Sequence, residues 1–321
     1  MLRLRDLLER EGDPLQLEAL TGEAGLDRQV PDPEVASPGL ALAGYVGRFA
    51  PQRLHVLGET EITYLNGLPA DERLHRLEQF FNFELPCLFI TKGLDVPAEM
   101  LALAKERGVP LLRSRLKTAE FYRRVKPVLE EAFAPRTTLH GSLTDVYGVG
   151  LLFIGRSGIG KSECVLDLVE RGHRLVADDV VQVTRRGADI LIGRGHELAA
   201  HHMEIRGIGL IDVQALFGIR AVRQQKRIEV VVQLEDWETA KDVADRTGLS
   251  HHTSEVLGVN IPRVIVPLNP GKNITVVSEV VAMMHLLRYS GVDVAAQFNE
   301  RLIRRMKEKR GIKGYLQEDY E

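Results

Sequence analysis

The sequence predicts an α/β protein in two domains: an N-terminal α/β domain with a mostly parallel sheet over residues 1–133, and a C-terminal phosphate-loop domain over residues 134–321. Three observations carry this. Short apolar runs alternate with helically spaced ones through the first third of the chain. A Pro-containing break, Ala134-Pro135-Arg136-Thr137-Thr138, ends the last of those helical stretches. Beyond it, an apolar strand, a glycine-rich loop and an amphipathic helix follow one another directly.

In the first domain, residues 54–57, 87–91 and 109–112 read as strands, while 70–81, 97–107 and 118–133 carry helical spacing. No glycine-rich phosphate loop and no cluster of Asp, Glu and His occurs there, so a structural or regulatory module is expected. Past the break, 138–147 and 149–154 are expected as two strands joined near Tyr147-Gly148. Residues 228–234 and 264–268 form further strands, and 278–289 and 294–306 form closing helices.

With 321 residues, 44% of them hydrophobic, the chain can bury two ordinary cores. Its 42 Lys+Arg against 45 Asp+Glu leave a net charge of −3, which argues against a nucleic-acid partner. Cys87 and Cys164 lack any paired or metal-ligand spacing, so neither a disulfide framework nor a zinc site is expected. Charges within Met1-Leu2-Arg3-Leu4-Arg5-Asp6 interrupt the apolar run a signal peptide needs, and no stretch approaches the roughly 18 apolar residues of a membrane span. A cytoplasmic protein with no membrane partner is the expectation.

Gly155-Arg156-Ser157-Gly158-Ile159-Gly160-Lys161-Ser162 matches G-x-x-x-x-G-K-[ST] at every fixed position. Its flanks fit too: the strand 150–154 enters it, and the helix 163–171, stopped by Gly172, leaves it. Glycines let successive backbone N–H groups turn toward phosphate oxygens at a helix N-terminus, where the dipole favours anions. Lys161 then supplies a mobile positive charge for the β- and γ-phosphates of ATP, and Ser162 a hydroxyl for Mg²⁺.

Further candidates are less specific. Residues 175–181 read as a strand interrupted by Asp178 and Asp179, whose side chains would point to opposite faces and so serve different ends. One could orient Mg²⁺ or accept a proton from an attacking hydroxyl; an Asp-containing turn between strands is the plainer alternative. The segment 203–212, with Glu204 and Arg206 among apolar residues and glycines, is explained as well by a surface strand and turn. His140 is ambiguous between packing and catalysis, and Arg246 between a solvated loop residue and a site residue. Arg301, Arg304, Arg305, Lys307, Lys309 and Arg310 form a basic face, read first as a solvated helix side and second as a docking surface for an acidic partner.

Taken in order, His140-Gly141, the loop, Gly172-His173-Arg174-Leu175-Val176-Ala177-Asp178-Asp179, Met203-Glu204-Ile205-Arg206-Gly207-Ile208-Gly209 and Pro270-Gly271-Lys272-Asn273 resemble the HPr kinase/phosphorylase family. These bacterial enzymes phosphorylate a serine of the phosphocarrier protein HPr and can reverse the step with inorganic phosphate. The resemblance is strong from about residue 136 onward. It implies that Lys161 and the loop backbone of Gly155, Arg156, Ser157, Gly158, Ile159 and Gly160 hold ATP, and that Ser162 and Glu204 bind Mg²⁺. Asp179 would serve as base forward and acid in reverse, with His140 and Arg246 at the remaining active-site positions. It also implies a kinase fold resembling phosphoenolpyruvate carboxykinase, a homohexamer, and phosphate and pyrophosphate as small partners. A small-molecule kinase or carboxykinase relative, and a non-catalytic nucleotide-sensing switch, are the alternatives. Two departures stand out: Arg156 where the family usually has Asp, and Asn269 and Lys272 where it usually has Arg. The second lies in the segment associated with phosphorolysis, and lysine cannot reproduce arginine's bidentate fork.

Overall fold

The computed structural model describes residues 2–196, 200–240, 252–268, 271 and 273–318. The chain divides into two compact units, Met1–Ala134 and Pro135–Glu321.

In the first unit, α1 (Leu4–Leu15) and β1 (Leu17–Ala19) lead into β2 (Val35–Ala36), α2 (Gly39–Leu42), β3 (Leu54–Leu57), α3 (Glu59–Gly67), α4 (Ala70–Phe81), β4 (Leu88–Ile90), α5 (Ala98–Glu106), β5 (Leu111–Ser114) and α6 (Thr118–Ala132). Among the described residues its sheet runs β1-β5-β4-β3-β2, with β2 to β5 parallel and β1 antiparallel. Alternation along the strands serves two cores. Leu57, Leu88, Ile90 and Leu111 pack with α3, α4 and α5, whereas Val56, Phe89 and Leu112 face α1 and α6. Helix α4 shows how the sequence dictates this: Leu77, Phe80 and Phe81 recur at helical spacing and are buried, and Asp71 and Glu72 sit in the first turn where the dipole favours them.

The second unit contains β6 (Arg136–His140), β7 (Ser142–Val146), β8 (Val149–Ile154), α7 (Lys161–Glu170), β9 (Arg174–Ala177), β10 (Val180–Arg186), β11 (Ile190–Arg194), β12 (His202–Ile205), β13 (Gly209–Asp212), α8 (Val213–Phe217), β14 (Gln225–Arg227), β15 (Val230–Asp236), α9 (Trp237–Ala240), β16 (His252–Val256), β17 (Val259–Leu268), α10 (Ile274–Tyr289) and α11 (Val294–Glu318). Among the described residues a mixed sheet runs β16-β17-β15-β8-β7-β9, and an antiparallel one runs β14-β11-β10-β6. Strands β8, β15 and β17 are mutually parallel at the centre of the first. Leu151 and Phe153 of β8 pack with α7 and α10, while Leu152 between them joins the core shared with the antiparallel sheet.

Two expected strands are broken by this second layer. Residues 138–147 are not continuous: β6 belongs to the antiparallel sheet and β7 to the mixed one, with Gly141 at the crossing. A Cβ on Gly141 would lie 2.4 Å from the Phe153 carbonyl oxygen, so only glycine permits the approach. Residues 175–181 break likewise, β9 and β10 belonging to different sheets with Asp178 and Asp179 in the bend. The Gly141 N–H donates to the Asp179 carbonyl at 3.0 Å and joins the two crossings. Helix α10 begins four residues before the expected 278, because Asn273 caps it by accepting from the Val276 N–H at 3.0 Å. Its buried Glu279 accepts from the Arg171 guanidinium at 2.7 and 2.8 Å and lies 3.0 Å from His173 Nε2. The hydrogen bonds from Arg171 hold the Glu279 carboxyl down at about 2, so α10 is tied to the chain that leaves α7.

One polar residue sits inside the first unit's core. His55 on β3 is buried and stacks on Phe49 at 4.8 Å between ring centroids. Burial pushes its imidazole down to about 4. The unfolded chain takes up that proton as pH falls through about 6.5, but the folded chain resists until about 4. The penalty is therefore absent at neutral pH and grows on acidification toward ~3 kcal/mol. His55→Leu should flatten this part of the stability profile between about pH 7 and about pH 4.5 in urea unfolding. An unchanged pH slope would exclude His55 as its source.

Candidate active site

Strand β8 delivers the chain to Gly155, whose φ is 152°. A Cβ there would meet the Leu234 carbonyl oxygen of the neighbouring β15 at 2.6 Å, so the first glycine is demanded by close backbone approach. Gly158 (φ 76°) and Gly160 (φ 101°) occupy left-handed backbone regions and turn the loop into α7, which starts at Lys161. Ile159 is buried in the core beside Cys164 and Val165 and pins the loop from beneath. Arg156, Ser157 and Gly158 are exposed above it. The Lys161 ammonium donates to the carbonyls of Gly155 and Arg156 at 3.1 Å each, which folds its charge over the loop.

Ser162 opens α7 on the side of the sheet crossing. Its hydroxyl donates to the Asp178 carboxylate, 2.9 Å from Oδ2, and the Ser142 hydroxyl donates to Oδ1 at 2.5 Å. Asp178 is only 9% exposed; burial pushes its carboxyl above the usual range, and the two serine hydroxyls oppose that shift. With its proton committed to Asp178, the Ser162 oxygen keeps lone pairs for a cation. Asp179, one residue on, is exposed and adopts φ 61°, a left-handed conformation that Asp tolerates better than most residues. The two carboxylates do differ in environment, as the sequence predicts, but the cause is a bend between two sheets and not the alternation of one strand. His140 ends β6 opposite Val180, and so stands exposed at the same crossing as Asp179.

The β12–β13 hairpin approaches the loop at Gly158. Met203 and Ile205 are buried in the same core as Ile159, which leaves Glu204 between them exposed. Arg206 follows, and its guanidinium lies against Gly158: a Cβ built there would come within 2.4 Å of Nη2. No hydrogen bond or ion pair engages that guanidinium among the described residues. Asp212 at the hairpin's end caps α8 by accepting from the Ala215 N–H at 3.0 Å, a local structural task. Arg246, Asn269, Pro270 and Lys272 lie outside the described residues. Arg301, Arg304 and Arg305 are exposed on α11.

Sequence reasoning did not single out Asp178 over Asp179 as the partner of Ser162, or Arg206 as a neighbour of the loop. The available signal was weak, because both contacts span turns whose geometry is set by the second sheet. The arrangement as a whole offers backbone N–H groups, Lys161 and Arg206 for phosphate oxygens. Ser162 and Asp178 add adjacent oxygen atoms beside the loop, Glu204 stands exposed on the hairpin, and Asp179 is an exposed carboxylate.

Two family models cover nearly the whole chain: the HPr Serine kinase N terminus over residues 2–129 and the HPr Serine kinase C-terminal domain over residues 131–302. The HPr kinase/phosphorylase of Chloroherpeton thalassium is 46% identical over 275 residues, spanning 86% of this chain and 81% of that protein. That of Geobacter sulfurreducens is 42% identical over 305 residues and 95% of both. A solved HPr(Ser) kinase/phosphatase from Coxiella burnetii matches at 34% identity over 51% of this chain and 99% of that one, with a TM-score of 0.46. With both halves of the sequence matched and relatives aligned along most of their lengths, this chain belongs to the HPr serine kinase family.

Proposed function

We propose that this chain transfers the γ-phosphate of Mg·ATP to a serine of the phosphocarrier protein HPr, and that it runs the reverse step with inorganic phosphate, releasing pyrophosphate. The observation that carries the reading is the pair of adjacent carboxylates in unlike environments beside a phosphate loop: buried Asp178 engaged by Ser162, and exposed Asp179 with no side-chain partner among the described residues. In the forward direction the acceptor serine oxygen bonds to the γ-phosphorus as the bond to the β-γ bridging oxygen breaks, and the serine proton passes to Asp179. In reverse a phosphate oxygen displaces the serine oxygen from phosphorus, and protonated Asp179 returns the proton to that leaving oxygen.

Lys161, Arg206 and the loop N–H groups would neutralise charge on the transferring phosphate, which is where most catalysis of this type resides. Ser162, Asp178 and Glu204 would hold Mg²⁺, which would offset the negative charge on the phosphate. His140, at the same crossing as Asp179, would orient the acceptor or the carboxylate, and Arg246 would complete the site. The family resemblance extends the proposal to a catalytic fold like that of phosphoenolpyruvate carboxykinase, a homohexamer, a cytoplasmic location, and a division of labour between residues 1–133 and 134–321. No helix among the described residues is long and apolar enough to cross a membrane. Purified chain incubated with labelled ATP and HPr tests the whole reading: phosphoserine on HPr supports it. Label on a metabolite, or bound nucleotide with no transfer, would replace it.

Lys161→Ala should abolish transfer and sharply weaken ATP binding with little loss of fold, since among the described residues the ammonium bonds only to exposed loop carbonyls. Wild-type turnover would end the assignment of the loop. Asp179→Asn should keep Mg·ATP binding and lose about 10²- to 10⁴-fold in transfer, the usual worth of a general base. Asp178→Asn should instead raise the Mg²⁺ concentration needed and lower stability, because it removes the negative charge and replaces one of the two accepting oxygens with an N–H₂ group. The opposite pattern would exchange the two roles. Finally, Asn269 and Lys272 offer less fixed positive charge than two arginines for bringing phosphate and phosphoserine together. Phosphorolysis should be weak relative to kinase activity, and Asn269→Arg with Lys272→Arg should raise that ratio, measured as phosphate release from phosphorylated HPr. An efficient wild-type reverse reaction that the double change leaves unaltered would show that these positions do not control it.

A further inference from the structure

Arg156 brings a guanidinium to the exposed crest of the phosphate loop, yet that charge is already engaged. Its Nε lies 2.8 Å from Asp236 Oδ2, and its Nη2 donates to Asp236 Oδ1 at 2.9 Å, a two-point contact. Asp236 ends β15, the strand whose Leu234 carbonyl packs against Gly155 and whose Gln233 pairs with Ile154. The carboxylate is therefore fixed to the sheet beside the loop, while Arg156 rides on the loop. Both side chains are well exposed, at 68% and 45%. An ion pair in that setting is worth little and exchanges readily. A phosphate or pyrophosphate in the loop presents more charge than one carboxylate, and it matches the planar guanidinium fork equally well.

We propose that Arg156 and Asp236 form a competing clasp at the phosphate loop: Asp236 holds the Arg156 guanidinium until a polyanion displaces it, so Asp236 sets how tightly the loop takes phosphate-bearing ligands. This rests on the reading of Gly155–Ser162 as a phosphate loop and assigns Asp236 a role in tuning its affinity. Release of the clasp costs the loop part of the attraction that Arg156 adds. The extra positive charge in this chain therefore does not act at full strength on the ligand, and the neighbouring strand is what moderates it.

The test is a double-mutant cycle on the full-length chain, with Kd for pyrophosphate and for Mg·ATP measured by titration calorimetry. Removing one negative charge near an anion site strengthens binding through space whatever Arg156 does; only competition makes the gain depend on Arg156. Asp236→Asn should tighten pyrophosphate binding about 2- to 5-fold, in keeping with the ordinary worth of an exposed pair. In the Arg156→Gln background only the smaller through-space gain should remain, so the tightening should be clearly reduced there. The gain should shrink between about 50 mM and about 500 mM salt, as screening weakens exposed charge pairs. Both substitutions are on exposed side chains, and unchanged thermal unfolding of the four proteins would show the comparison is between folded species. Equal tightening by Asp236→Asn in both backgrounds, or none in either, overturns the clasp while leaving the loop assignment intact. Failure of the wild-type chain to bind either ligand overturns both.

Discussion

The hydroxyls of Ser142 and Ser162 converge on the Asp178 carboxylate, and the rest of the second unit is organised around that contact. A carboxylate withdrawn from water is costly unless it is given hydrogen-bond donors. Here one donor comes from the first residue of β7 and the other from the first turn of α7, so satisfying Asp178 joins the mixed sheet, the phosphate-loop helix and the bend between β9 and β10. The cost of leaving it unsatisfied is what keeps those three elements in register. The same contact orients the Ser162 hydroxyl.

Around that contact the backbone is packed too closely for side chains. Gly141 lies against the Phe153 carbonyl and Gly155 against the Leu234 carbonyl, so β8 is approached by main chain at both of its neighbours. These approaches bring His140, Asp179 and the loop to one end of the parallel strands, where a site is ordinarily found in such sheets. Beneath them, Ile159, Cys164, Val165, Met203 and Ile205 share one apolar core. Burial of Met203 and Ile205 is what turns Glu204 outward and carries Arg206 to Gly158. Hydrophobic alternation in a short hairpin thus determines which charges reach the loop. At the far end of α7, Glu279 with Arg171 and His173 holds α10 against the same core, which braces the helix that follows the glycine-rich loop.

Charge balance at the loop follows from geometry and not from composition. Lys161 is directed at loop carbonyls, Arg156 at Asp236, and Arg206 at the glycine-rich crest with no ionic partner among the described residues. Three cations close together would repel one another, and distributing two of them onto local acceptors limits that repulsion until a polyanion offers a better arrangement. The loop glycines provide the N–H groups; the surrounding strands decide how much free positive charge accompanies them.

The sequence by itself determined those features that are set within a few residues. The strand, loop and helix from 150 to 171 were legible because a phosphate cradle needs glycines at fixed spacing, and helix α4 was legible to its end residues because its apolar spacing and its first-turn acids agree. The family was legible because several such local segments recur in order. What the tertiary structure alone decided depends on contacts between distant residues. Residues 138–147 and 175–181 read as strands locally, and each is cut because two sheets compete for its halves. The difference between Asp178 and Asp179 comes from Ser142, 36 positions upstream of Asp178. Arg156 finds its acceptor 80 residues away, at Asp236. Periodicity and motif spacing report on the near neighbours of a residue, whereas burial and charge pairing are properties of the packed chain, and these are what distinguish one aspartate, or one arginine, from the next.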